Sequence, residues 1–148
     1  MTREATASIH ASAVLVGDQA VLIRGPSGSG KSRLTFDLIL AGRAGQSAKA
    51  TLIGDDRVRL IPRDGTLFVH NVPELAGLIE IRGLGIRKTE AVSEAAISVV
   101  VDLSASDAER LPPPEALKTV ISGVELPRIP VAAGQNPLPL VLAFLTTT

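Results

Sequence analysis

Gly25-Pro26-Ser27-Gly28-Ser29-Gly30-Lys31-Ser32 decides the reading of this chain. It satisfies G-x-x-x-x-G-K-[ST] in full and follows an apolar run, Ala20-Val21-Leu22-Ile23. Leu34, Phe36, Leu38 and Ile39 can open a helix after it, so the motif stands in the strand–loop–helix setting it requires. Glycines let successive backbone N–H groups curl around phosphate oxygens, and the helix N-terminus adds a favourable partial charge. Lys31 is placed to reach the terminal phosphates, and Ser32 to offer its hydroxyl to Mg2+. At ordinary Gly and Lys usage, a chance match in a chain of this length has odds of roughly one in a hundred or less. The segment predicts a site for a phosphorylated nucleotide.

Outward from that loop, 13–16 and 20–24 around Gly17-Asp18 read as a hairpin feeding it. A helix from Ser32 to about Leu40 follows, then a small, polar surface connection over 42–50. Residues 51–53 form a short strand ending at Gly54-Asp55-Asp56. Stretches 58–61 and 67–70 flank Pro62-Arg63-Asp64-Gly65, whose Asp-Gly is a strong hairpin signal. Residues 78–82 alternate as a strand broken by Gly83 and Gly85, and 96–103 read as a buried central strand. Pro112-Pro113-Pro114 interrupts regular structure, 138–145 can form a terminal helix, and 1–8 read as a frayed start. The expected fold is α/β with a mixed sheet, in a single domain over 1–148.

Composition excludes several classes of function. The chain has 148 residues, 45% hydrophobic but only 2% aromatic, so aliphatic side chains fill one core. Fifteen basic residues balance fifteen acidic ones, which points to neither nucleic acid nor a membrane surface. The absence of Trp and Tyr removes the usual base-stacking platforms. Without cysteine there are no disulfides, thiolate metal sites or thiol nucleophiles. The first residues lack the apolar core of a signal peptide, and no run is long enough to span a bilayer. A cytoplasmic location is expected.

Nucleotide binding alone does not transfer phosphate; metal ligands, a base and positive charge on the transition state are also needed. Asp55 and Asp56 follow the strand after the loop, where an acid facing Mg2+ would stand, and adjacent side chains there should point to opposite sides. Glu80 and Arg82, two apart, would share one strand face. His10 precedes the first apolar strand, and Arg110 carries no signal of its own.

Taken together these residues resemble the HPr kinase/phosphorylase family. The resemblance runs through Ile9-His10, the glycine loop and Gly54-Asp55-Asp56-Arg57-Val58. It is strongest in Ile79-Glu80-Ile81-Arg82-Gly83-Leu84-Gly85-Ile86, and continues through Glu109-Arg110-Leu111 and Pro127-Arg128-Ile129-Pro130-Val131 as far as Asn136. Over residues 9 to about 145 the chain looks like the catalytic domain alone, as in the short form associated with alphaproteobacteria. The resemblance implies a core like that of phosphoenolpyruvate carboxykinase, and an enzyme that phosphorylates a serine of an HPr-type phosphocarrier of the phosphotransferase system. The reverse activity would be phosphorolysis releasing pyrophosphate.

By position, the resemblance makes Asp56 the proton acceptor and gives Mg2+ to Ser32 and Glu80. Gly25, Pro26, Ser27, Gly28, Ser29, Gly30 and Lys31 would cradle ATP, with pyrophosphate the other donor it leaves open. His10, Lys31 and Arg110 would complete the catalytic set, and Asp55, Arg82, Gly83 and Gly85 would support it. The resemblance also implies a homo-oligomer, commonly a hexamer.

Departures from the pattern are specific. Lys31 to Asp55 is longer than usual, Arg33 replaces an acidic residue, and the Glu80–Arg110 interval is short. Val131-Ala132-Ala133-Gly134-Gln135-Asn136 stands where the family usually has a Pro-Gly-Arg-Asn element tied to dephosphorylation. Gln135 has neither the charge nor the fork of arginine, so phosphorolysis should be weakened while kinase activity survives. The competing reading is a nucleotide-sensing regulator that binds ATP and partners without transfer. A small-molecule P-loop kinase would need an arginine-rich lid, and none is visible.

Overall fold

In a computed structural model of the chain, which describes residues 7–148, the apolar stretches before the loop pair antiparallel as β1 (Ala11–Val16) and β2 (Gln19–Arg24). The glycine loop leads into α1 (Lys31–Arg43), followed by β3 (Ala50–Gly54), β4 (Val58–Arg63) and β5 (Thr66–Asn71). A hairpin of β6 (Leu78–Ile81) and β7 (Gly85–Lys88) precedes the long β8 (Glu94–Leu103). β9 (Lys118–Ile121), β10 (Val124–Val131) and α2 (Leu138–Thr146) complete the order.

Eight strands form one mixed sheet in the order β3-β1-β2-β8-β10-β9, with the β4–β5 hairpin joined through β5 to the start of β8. β2, β8 and β10 are mutually parallel, with Arg24 opposite Asp102 and Asp102 opposite Pro130. Three loops therefore leave the sheet at one edge, the edge where open α/β sheets bind ligands. On one face Val21, Ile23, Val99 and Val101 pack against Leu34 and Leu38 of α1 and Val141 of α2. On the other, Leu22 and Val100 pack with Val58, Leu67 and Val69 of the β4–β5 hairpin. The expected α/β class with a mixed sheet is what is found, and the two buried layers are aliphatic throughout.

The differences from the sequence reading are local. α1 starts at Lys31 and runs through Arg43, so the connection shortens to 44–49. Gly42 continues the helix because it packs on β3: a Cβ there would lie 2.8 Å from the Ala50 nitrogen. Gly83 and Gly85 do not end a strand but turn it back, making β6–β7 a separate two-stranded sheet. Arg82 stands in that turn, so it does not share a strand face with Glu80 as expected. Of the frayed start at 1–8, residues 1–6 lie outside the described residues; Ile9 bonds to Val58 and ties the chain to β4.

Candidate nucleotide and phosphoryl-transfer site

Two glycines shape the loop between β2 and α1. Gly30 caps α1 at φ +103°, a left-handed conformation open to glycine, and no side chain caps the helix in its place. No acidic residue stands in the first turn either, so the orphan N–H groups and positive end of α1 are left for an anion. Gly25 is required by close approach: a Cβ would sit 2.5 Å from Ser29 Oγ and 3.0 Å from Leu103 Cβ. Ser29 Oγ is buried without a hydrogen-bond partner. Lys31, 7% exposed, donates from Nζ to the carbonyls of Gly25 at 2.9 Å and Pro26 at 3.2 Å. Among the described residues its charge meets only carbonyl dipoles.

Across the loop stands the Asp55–Asp56 corner. β3 carries a bulge against β1, where Ala13 pairs with Gly54 but Val14 with Leu52, and such a bulge re-aims the residues that follow. Asp55 is 7% exposed. Its Oδ1 accepts from Ser32 Oγ at 2.7 Å and Ser12 Oγ at 2.9 Å, and its Oδ2 from the Glu80 N–H at 3.1 Å. Ser12 Oγ also accepts from the Asp56 N–H at 3.0 Å. Asp56 adopts a left-handed φ of +68°, which swings its carboxylate out to line the cleft. Of the adjacent pair, Asp55 lies buried beneath Ser32 and only Asp56 stands in the open at the cleft wall.

The cleft measures about 930 Å³ and brings together the loop, Asp56, Glu80, Arg82 and Gln135. Glu80 reaches it from the hairpin, and Arg82 from the turn beyond. His10 lies at the rim, with Nδ1 3.8 Å from Asp56 Oδ1, beyond hydrogen-bond reach. Arg57 Nη2 stands 3.1 Å from His10 Nε2. A guanidinium can only donate, so in a neutral His10 the proton sits on Nδ1, facing Asp56. Gln135 Oε1 accepts from the Ala132 N–H at 3.1 Å and closes its own turn. Arg110 is not brought to the cleft wall: it stands exposed on the loop after β8.

These groups fit a Mg2+–nucleotide. Among the described residues no cluster of three or more His, Cys, Asp or Glu could hold a metal alone. Mg2+ is characteristically bound by one or two carboxylates with waters and substrate phosphates. Ser32 and Glu80, on the cleft wall beside an uncapped helix N-terminus, could supply such a partial set, with Asp55 bonded behind Ser32.

A second carboxylate cluster lies on the opposite sheet face at the same edge. Arg24 forks onto Asp102 with Nε to Oδ1 at 2.7 Å and Nη2 to Oδ2 at 2.8 Å. Arg128 Nε donates to Asp102 Oδ2 at 2.6 Å, while its Nη1 and Nη2 donate to Asp107 at 2.8 and 3.1 Å. Burial would raise the Asp102 carboxyl, but the two arginines outweigh it and hold it below the usual carboxylate range. Asp107, against desolvation, and then Asp102 hold the Arg128 guanidinium above its ordinary value.

Sequence reasoning missed Ser12, although a lone hydroxyl in the apolar run Ala11–Val16 was a usable signal. It gave Arg57 no role, and Arg24, Asp102 and Arg128, with Asp102 78 residues from one arginine and 26 from the other, carried no local pattern.

Comparison with known proteins places this arrangement. The model of the HPr Serine kinase C-terminal domain matches residues 3–147. An HPr kinase/phosphorylase from Geobacillus thermodenitrificans is 35% identical over 144 residues, and one from Mycoplasma mycoides 34% over 145. Each alignment covers 88% of this chain but 44% of the relative, so the chain spans less than half the length of these relatives. The solved structure of the Hpr(Ser) kinase/phosphatase from Coxiella burnetii superimposes with a TM-score of 0.73 at 25% identity, covering 94% of this chain and 93% of that one.

Proposed function

The chain belongs to the HPr serine kinase C-terminal domain family, and on that premise we propose that it transfers the γ-phosphoryl group of ATP to a serine of an HPr-type phosphocarrier. One observation carries the reading: an exposed carboxylate, Asp56, is held in a left-handed turn at the wall of the cleft that contains the phosphate loop. A protein that only sensed nucleotide would need no base on the acceptor side.

The glycine loop and α1 N-terminus bind the phosphates, and Lys31 leaves the carbonyls of Gly25 and Pro26 for them. Ser32 and Glu80, with Asp55 behind Ser32, would hold Mg2+, which when bound neutralises charge on the phosphate oxygens. Asp56 accepts the proton of the serine hydroxyl as its oxygen attacks phosphorus, and returns it in the reverse direction. His10 stands beside that carboxylate without bonding to it, and Arg110 would swing in from its exposed loop to offset charge on the transferring group. Phosphorolysis, attack of inorganic phosphate on the phosphoserine, is the weaker direction because the amide of Gln135 replaces a guanidinium and is engaged in its own turn. The site belongs to the cytoplasm, where ATP and carrier meet, and to a homo-oligomer.

Incubation with γ-labelled ATP, Mg2+ and HPr-type carriers, with Asp56→Asn as control, tests this. Label on a carrier serine, absent in the variant although ATP still binds, is the expected result. ATP binding by wild-type protein with no label on any carrier would overturn it in favour of a regulator.

A further inference from the structure

Arg128 holds both ends of the segment that carries Arg110. At one end its Nη1 and Nη2 fork onto Asp107 at 2.8 and 3.1 Å; at the other, Nη1 donates to the Ala116 carbonyl at 2.9 Å. Its Nε is anchored on Asp102 at 2.6 Å, and its side chain is 14% exposed. The residues between these clamps, 108–115, form a largely exposed strap in the connection from β8 to β9, and the end of β8 from which it springs abuts the phosphate loop at Leu103 and Gly25. A third bond, the Ala105 N–H to the Val131 carbonyl, fixes the strap's root to the end of β10. Pro112-Pro113-Pro114 stiffens its return, with Pro113 in polyproline conformation at φ −67°, ψ 157°. Leu111 at its crest is 74% exposed, and among the described residues Arg110 has no hydrogen-bond or ion-pair partner. An exposed strap carrying an unengaged arginine would wander unless it were clamped, and an ordered guanidinium costs less to bring to a transition state.

We propose that Arg128 is a positioning residue for phosphoryl transfer, acting through the strap and Arg110. The proposal rests on the kinase reading above. Lysine at this position keeps the charge but has one nitrogen where guanidinium has three in use, so it cannot keep the Asp102 anchor and the Asp107 fork together and the clamp loosens.

Two measurements on the full chain test this. The protein has no cysteine, so Leu111→Cys accepts one spin label at the strap crest. Label mobility should rise with Arg128→Lys and with Asp107→Asn, and stay unchanged with Arg63→Lys on the remote β4. Secondly, Arg128→Lys should lower kcat for carrier phosphorylation about ten- to a hundredfold, with the ATP dissociation constant within twofold. Added to Arg110→Ala, it should cost no more than about twofold further, because both act through one group. Asp107→Asn, at an exposed position, gives the same sign with a smaller loss and covers the case in which Arg128→Lys fails to fold. A label that stays rigid in these variants, ATP affinity falling in step with kcat, or losses that multiply in the double variant would overturn the proposal alone. A wild-type protein that transfers no phosphate overturns the kinase reading and takes this proposal with it.

Discussion

Asp55 and Asp102 stand near strand ends on either side of the phosphate loop, each accepting at least three hydrogen bonds, and they are held by opposite chemistry. The donors to Asp55 are neutral: two serine hydroxyls and a backbone N–H. Those to Asp102 are two guanidinium groups. At Asp55 the negative charge is ordered but not cancelled, and its nearest partner is the hydroxyl that would face a cation. At Asp102 the charge is cancelled twice over, and what remains is a rigid joint between β2, β8 and β10. Burial and bond count therefore do not separate a site carboxylate from a structural one; the charge of the donors does.

The largest effect should come from the open neighbour of Asp55. Asp56→Asn removes the base without altering the turn, since asparagine tolerates the left-handed φ of +68°. Transfer to a carrier should fall by about 10²–10⁴-fold while ATP binding, followed by calorimetry, changes by less than about threefold. A loss in binding as large as the loss in rate would place Asp56 with the nucleotide ligands and weaken the contrast.

Asp55→Asn tests the uncancelled charge directly. Ser32 keeps an acceptor, but the charge behind it is gone, so Mg2+-dependent ATP affinity should drop about ten- to a hundredfold, the usual cost of removing an outer-shell partner. Titration in EDTA should show almost no difference from wild type. An equal loss without metal would mean that Asp55 acts only as a fold anchor, like Asp102.

The counterpart, Asp102→Asn, should act on stability and not on metal. Leaving Arg24 and Arg128 with one amide oxygen to share should cost about 2 kcal/mol at pH 7, below the range for fully buried pairs because solvent reaches these side chains. The folded Asp102 titrates below its unfolded value, so its contribution is complete at neutral pH and fades as pH falls below about 4. Urea midpoints of wild type and variant should therefore separate at pH 7 and converge in acid. A gap that widens in acid would assign the stabilisation to another group.

The sequence made one of these corners legible and hid the other. The glycine loop, its strand and helix, and the pair Asp55-Asp56 are contiguous signals, because phosphate binding needs fixed spacings along the backbone. Which aspartate sits beneath Ser32 was decided by the bulge at Ala13/Val14 and by Ser12, and neither is a spacing. β10 carries a weak strand signal, since Pro127 and Pro130 remove two donors from its eight residues. Each half of β10 pairs with a different neighbour, β9 over 124–127 and β8 over 128–131, so each proline has an open side for its missing donor. With β10 unread, Arg128 had no neighbour, and the Arg24–Asp102–Arg128 joint was invisible. The strap over 108–115 shares that fate: Arg110 was named by resemblance alone, and the residue that clamps its segment at both ends lies on the hidden strand.

The smallest effect tests whether charge also governs the third loop of this edge. Gln135 lines the cleft, but its Oε1 bonds to the Ala132 N–H, a neutral contact inside its own turn. Gln135→Arg would give up that contact and present a fork to phosphate groups, adding positive charge to the cleft that Asp56 also lines. Pyrophosphate release from phosphorylated carrier should rise about three- to tenfold, with transfer from ATP changed by less than twofold, because only phosphorolysis brings free inorganic phosphate into the cleft as the attacking group. The assay is pyrophosphate formation at saturating inorganic phosphate, with Gln135→Ala as the control for loss of the turn contact. If arginine and alanine give the same rate, the turn matters and the charge does not. Uncancelled charge would then be a property of the Asp55 corner alone, not of the edge as a whole.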